Sequence, residues 1–259
     1  MKKIYKLPTY IIVGAMKAGT TTLYYALTKH SKIQPAITKE LHYFSGRSYE
    51  SVKTEEYKRK FRKCADDEIC GEASPQYLWS SVTPRNIKKI CPDVKLIFLF
   101  RHPVDRAYSQ FQGYLRKCKK LGQKPITRSF KKFFNMTSTR RISGLNYIGQ
   151  ELVQGSCYAK YLERWYKEFP KEQMMIIKSE DLFKNPPKVL HDVFDFIGVE
   201  SESVKITHHT KGKKLNKKVL GKDYPKLNPK LRKKLMNYYR LYNQELYQLI
   251  DRNFNWENE

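Results

Sequence analysis

Residues 14–22 read Gly-Ala-Met-Lys-Ala-Gly-Thr-Thr-Thr. Gly14 and Gly19 follow a β-branched run and precede a helix-forming stretch, the spacing with which a backbone loop cradles phosphate in G-x-x-x-x-G-K-[ST]. Here Lys17 lies inside the loop, and Thr20 stands where that pattern has its lysine. Such a loop still offers converging N–H groups and a helix N-terminus, which attract anions. Thr20, Thr21 and Thr22 add hydroxyl donors, and Lys17 can reach over the bound group.

A second anion motif starts at Arg101-His102-Pro103 and reaches Ser109. Triphosphate enzymes hold Mg²⁺ with a hydroxyl after the loop lysine and an aspartate ending a second strand. In this chain the second apolar strand, Val-Lys-Leu-Ile-Phe-Leu-Phe, ends in Arg101. A cation there repels a metal and attracts phosphate. Arg101 and Ser109 could grip a second phosphate, and Arg106 reads as a solvated helix charge. His102 is assigned to shaping the turn. Proton transfer needs a base, and Lys-Glu-Leu-His-Tyr-Phe offers Glu40, with His42 as the other candidate because imidazole titrates near neutral pH. Glu72 and Gln76, in Gly-Glu-Ala-Ser-Pro-Gln-Tyr, could line an acceptor cleft, with a strand-end structural role equally open for Glu72.

The elements that must position these residues follow from periodicity. Residues 9–15, 68–75, 94–100 and 174–178 read as strands, with a short extended piece at 33–36. Helices are expected at 20–30, 55–62, 84–90, 105–117, 158–169, 187–197 and 229–250. Residues 119–150 are polar and weakly periodic, and read as an irregular lid with short helices. Residues 208–219 read as a basic loop. Strands alternating with helices imply one α/β domain over residues 1–259, a mostly parallel sheet flanked by helices, with ligands at the carboxyl ends of the strands.

Net charge is +26, which favours anionic partners such as nucleotides and acidic glycans. No stretch approaches the roughly 18 apolar residues of a membrane span. The apolar run before Gly14 is shorter than the about 7–15 residues of a secretory signal. The five cysteines are odd in number and lack C-x-x-C spacing, so neither a zinc site nor a disulfide framework is indicated, and reduced thiols are expected.

Together these stretches resemble the sulfotransferases that use 3′-phosphoadenosine 5′-phosphosulfate (PAPS), closest in pattern to the heparan sulfate and related bacterial enzymes. The likeness continues through residues 39–44, 71–78, 158–170, 176–186 and 231–250 and covers nearly the whole chain. It implies a P-loop-like sulfotransferase fold, PAPS as sulfuryl donor, 3′-phosphoadenosine 5′-phosphate (PAP) as product, and no metal. It also implies that Lys17 contacts the sulfuryl group and its leaving oxygen. Ala18, Gly19, Thr20, Thr21 and Thr22 would then hold the 5′-phosphate, and Arg101 and Ser109 the 3′-phosphate. Lys211, Gly212 and Lys213 resemble a loop that closes over the nucleotide. Glu40 falls at the position of the family's base, beside Lys39.

Two departures stand out. Ser45 and Gly46 follow Tyr43-Phe44 where the heparan-type pattern has an aspartate, and no cysteines flank Lys211. The expected acceptor is a hydroxyl or amine, plausibly of a carbohydrate. A small alcohol, phenol or lipid beneath Phe130, Phe133 and Phe134 is an alternative, and a non-catalytic binder of acidic glycan or nucleic acid is another. A P-loop kinase is opposed by Thr20 and Arg101. No nucleic-acid partner is expected, oligomeric state is left open, and the expected compartment is the cytoplasm, with the lumenal part of a Golgi-type enzyme as the alternative.

Overall fold

The structure, a computed structural model, describes residues 5–139, 152–204 and 225–258. Five strands form the sheet: β1 (Tyr10–Gly14), β2 (Ile33–Pro35), β3 (Ile69–Ala73), β4 (Lys95–Phe100) and β5 (Met174–Lys178). Their order is β2-β3-β1-β4-β5 and every pairing is parallel. All of β1, and β4 after Lys95, is buried. That explains the unbroken apolar runs, since a parallel strand is covered on both faces. The chain leaves β1 toward β2 and β3, whereas β4 and β5 lie on its other side. The carboxyl ends of β1 and β4 therefore border the switch point at which such sheets bind ligands.

The described helices are α1 (Thr20–Leu27), α2 (Thr54–Lys58), α3 (Thr83–Ile90), α4 (Pro103–Lys120), α5 (Phe130–Thr139), α6 (Tyr158–Tyr166), α7 (Ser179–Lys184), α8 (Pro186–Ile197) and α9 (Pro229–Ile250). Two compact units make up the chain, Met1–Phe100 with Leu162–Leu215, and Arg101–Tyr161 with Asn216–Glu259. The sheet belongs to the first. There α1 packs on β1 and β3, and α7 and α8 pack at β5. The wholly buried Tyr10 ring lies flat over Gly71 on the neighbouring strand; a Cβ at Gly71 would fall 2.3 Å from the ring's Cζ.

In the second unit α4, α5 and α9 enclose a core that includes Val104, Phe111, Phe133, Leu235 and Tyr239. Asn228 caps α9, its Oδ1 accepting from the Lys230 and Leu231 amides at 3.0 and 3.3 Å. Residues 130–139 form one of the short helices expected within residues 119–150. The structure revises two expectations here. Phe130, Phe133 and Phe134 are buried in this core, at most 5% exposed, and do not form a cover for a small apolar acceptor. Arg106 is not a solvated charge: it is wholly buried, its Nε donating to Ser156 Oγ at 2.5 Å and its Nη2 to the Leu152 carbonyl at 2.7 Å. The guanidinium ties residues 152–156 to the first turn of α4, where Ser156 also donates to the Pro103 carbonyl at 3.0 Å.

Substituting Gly71→Ala should drive a methyl into the Tyr10 ring. Overpacking of this kind costs about 1–3 kcal/mol, or several degrees in melting temperature for a chain of this size. An unchanged thermal melt would mean that Tyr10 is not seated on β3.

Candidate active site

β1 delivers the chain into the glycine loop. Lys17 (φ 70) and Gly19 (φ 94) both take left-handed backbone conformations that turn the loop. A Cβ at Gly19 would meet the Phe183 ring at 3.0 Å, so glycine serves both the turn and the close approach. Ser179 Oγ donates to the Ala18 carbonyl at 2.7 Å, and the Ala15 amide donates to the Leu99 carbonyl at 2.8 Å. Ser179 and Phe183 were not among the sequence candidates. Their one signal was position, immediately after β5.

α1 starts at Thr20 with no side-chain cap and no acidic residue in its first turn. The leading N–H groups of a helix have no partner within it, and its dipole adds positive potential there. Thr20 and Thr22 are buried while Thr21 is exposed. Uncapped donors, hydroxyls and the absence of a competing carboxylate in that turn suit a phosphate group.

The acceptor-side candidates lie in an irregular stretch between β2 and α2. Glu40 (φ 62) and His42 (φ 49) are both left-handed. Lys39 Nζ pairs with Glu40 Oε1, and His42 Nε2 lies 3.5 Å from Glu40 Oε2. Lys39 is mostly covered, whereas Glu40 and His42 are 42% and 36% exposed. The carboxylate is thus open to an incoming group, with a cation on one side and an imidazole on the other.

This stretch and the glycine loop are anchored on the same turn, residues 74–78. On one side the Gly14 Cα packs so closely that a Cβ there would lie 2.8 Å from Leu78 Cβ and 2.9 Å from the Pro75 carbonyl oxygen. On the other, the His42 amide donates to Ser74 Oγ at 3.1 Å and the Phe44 amide to the Tyr77 hydroxyl at 3.4 Å. Gln76 sits half-buried on that turn. Glu72, read as either lining the cleft or structural at a strand end, has no exposed surface; its carboxylate accepts from Ser74 Oγ at 2.6 Å, Tyr57 Oη at 2.7 Å and Tyr77 Oη at 3.1 Å. Its burial follows from its place on β3, between β1 and β2.

In the second unit, Arg101 precedes α4 and its carbonyl accepts from the Tyr158 hydroxyl at 2.7 Å. Ser109 is buried on α4. Asp105 pairs with Arg232 of α9 at 2.6 Å. Burial pushes the Asp105 carboxyl up, but the Arg232 hydrogen bond and the charges of His102, Arg232 and Arg101 outweigh it and hold the group below its usual range. His102 Nε2 lies 3.2 Å from the Trp256 carbonyl, consistent with a turn-shaping role. Lys211, Gly212, Lys213, His208 and His209 lie outside the described residues.

Residues 7–242 match the family model for the sulfotransferase domain. Heparan sulfate glucosamine 3-O-sulfotransferase 3B1 of Homo sapiens is 29% identical over 97% of the chain, and the 3A1 enzyme of Mus musculus is 30% identical over the same share. The chain spans 65% of the length of each of these two relatives. Membrane-associated sulfotransferase kil1 of Dictyostelium discoideum is 26% identical over 99% of the chain and 68% of its own length. Among solved structures, a sulfotransferase from Alicyclobacillus acidocaldarius superposes with a TM-score of 0.77 at 25% identity, covering 98% of this chain and all of that one. A mouse sulfotransferase complexed with PAP shares the fold at a TM-score of 0.54 and 15% identity, over 96% of this chain and 87% of that one. The family match runs from the residues before β1 into α9, across both compact units, and the chain belongs to the sulfotransferase domain family.

Proposed function

We propose that the protein is a sulfotransferase that moves a sulfuryl group from PAPS to a hydroxyl or amine of a carbohydrate acceptor, with residues 1–259 acting as one catalytic domain. The observation that carries the reading is the shared anchoring of two sites on residues 74–78: an uncapped, acid-free anion loop beside an exposed carboxylate flanked by Lys39 and His42.

When bound, PAPS supplies a sulfuryl group already joined to a phosphate leaving group. Ala18, Gly19, Thr20, Thr21 and Thr22 are the residues we assign to its 5′-phosphate, through backbone N–H groups and hydroxyls at the start of α1. Arg101 and Ser109 are assigned to the 3′-phosphate, and Lys211, Gly212 and Lys213 to the nucleotide, all on their motifs. Lys17 places a cation where negative charge grows on the leaving oxygen, which stabilises the transition state. Glu40 takes the proton from the acceptor. Lys39 keeps the carboxylate oriented, and His42 stands beside its other oxygen. Gln76, half-buried on the anchoring turn, is assigned to the acceptor.

A carbohydrate acceptor is supported by relatives named for heparan sulfate and by the surface charge. The sequence has no Asp or Glu from Arg106 to Gln150, and Lys117, Lys119, Lys120, Lys131 and Lys132 are exposed there. The burial of Phe130, Phe133 and Phe134 removes the feature that favoured a small apolar acceptor. All five cysteines are free thiols, which supports a reducing compartment such as the cytoplasm. Among the described residues no helix is long and apolar enough to cross a membrane.

PAP should raise the melting temperature in EDTA, and ATP with Mg²⁺ should not; saturation at 100 times Kd corresponds to about 2.7 kcal/mol. No shift with PAP would sink the nucleotide assignment. Lys17→Ala should lower turnover by about 10²–10³-fold, as removal of a charge-stabilising group does, and weaken PAP. Glu40→Gln should lower turnover of heparan sulfate with radiolabelled PAPS by about 10²–10⁴-fold, the range for a general base, while PAP binding holds. If His42→Ala were the dead variant and Glu40→Gln active, His42 would be the base.

A further inference from the structure

We propose that Glu72 is a positioning residue for the acceptor site: through Ser74 and Tyr77 its buried carboxyl group gathers the backbone amides of residues 42 and 44 and so holds Glu40 in the conformation from which it acts. The proposal rests on the reading of Glu40 as the base.

The geometry is that of one negative charge with donors converging on it. The His42 amide reaches it through Ser74, whose hydroxyl accepts from His42 and donates to Glu72 Oε2. The Phe44 amide reaches it through Tyr77, whose hydroxyl accepts from Phe44 and donates to Glu72 Oε1. Tyr57 supplies the remaining donor. Each hydroxyl in these relays has its direction fixed by the charge at the end.

Two left-handed non-glycine residues within three positions are strained, and persist only where the surroundings over-determine them. Glu40 and His42 are those residues, and the amides tied to Glu72, those of His42 and Phe44, overlap and follow them. An apolar cage makes the hold firm: Tyr43 stacks on Tyr57 at 5.0 Å between ring centres, and Phe44 meets Tyr57 and Tyr77 edge-on at 4.7 and 5.8 Å. With water excluded, each of these hydrogen bonds is electrostatically stronger.

The carboxylate is a costly way to fasten a loop. Burial pushes the Glu72 carboxyl up, only partly offset by the Ser74, Tyr57 and Tyr77 hydrogen bonds. The folded chain therefore holds this proton more tightly than the unfolded chain does. The stability it contributes is full below the ordinary value near 4.5 and is lost as pH rises through the raised native value. Burial pushes the neighbouring Tyr57, Tyr77 and Cys91 up as well.

The test compares the whole protein with Glu72→Gln and Ser74→Ala. A carboxamide turns an N–H₂ toward groups that are donating, and the alanine cuts the link to His42 while leaving the carboxylate and both tyrosines. Hydrogen exchange across residues 38–46 should speed at amides 42 and 44 by about tenfold or more in Glu72→Gln, and chiefly at 42 in Ser74→Ala, with β1 and β4 unchanged. Turnover of heparan sulfate should fall about 10²-fold, as misplacement of a reacting group by about 1 Å does, while PAP affinity stays within about twofold. The melting-temperature advantage of wild type over Glu72→Gln should be larger at pH 4.5 than at pH 7. Unchanged exchange at residues 42 and 44, or PAP affinity falling in step with turnover, would overturn the proposal. If Glu72→Gln does not fold, Ser74→Ala carries the same comparison. If wild type binds PAP but leaves heparan sulfate untouched, the acceptor reading has failed, and the exchange result still decides this one.

Discussion

A carboxylate cut off from water needs donors on every side, and that requirement organises the acceptor side of this molecule. Glu72 stands on β3 with no exposed surface. The hydrogen bonds to it come from Tyr57 of α2 and from the turn after β3, whose Ser74 and Tyr77 hydroxyls accept the amides of His42 and Phe44. The sheet fixes Glu72, Glu72 fixes the amides, and the amides fix a loop with no regular secondary structure of its own. Rigidity is thus passed from a strand to an irregular segment by charge rather than by packing alone.

The donor side solves the opposite problem. A bound anion needs donors left vacant, so the protein leaves the first turn of α1 without a cap or an acid and shapes the approach with left-handed Lys17 and Gly19. The two sides meet at residues 74–78, which pack against Gly14 and hold His42 through Ser74. One short turn therefore sets the spacing between the glycine loop and Glu40, the proposed phosphate site and the proposed base.

The sheet was legible because its strands are short, apolar and buried on both faces, as β1 and β4 show. The glycine loop and the Lys39–Glu40–His42 cluster were legible as motifs. What stayed hidden depends on partners remote in sequence. Nothing local distinguishes Arg106 from a surface arginine; its burial comes from Ser156 and Leu152. Phe130, Phe133, Phe134 and Thr137 do fall on one helical face, but a single stripe among lysines is too short a signal to separate a packed helix from a lid. For Glu72, one step from a strand end, the sequence left a cleft role and a structural role equally open, and only the register of β3 between β1 and β2 shows that it is enclosed.

Ser179 and the Ala18 carbonyl it holds are 161 residues apart, and Phe183 closes against Gly19 from the same distant element. The chain-entropy cost of such a closure is met only when the sheet has brought β5 alongside β4. The glycine loop, though encoded near the N-terminus, is thus completed late. A growing chain that has made β1 to β4 but not yet residues 174–184 lacks the surface that shapes its glycine loop, so on the proposed assignment nucleotide affinity arrives with the last strand and the helix behind it.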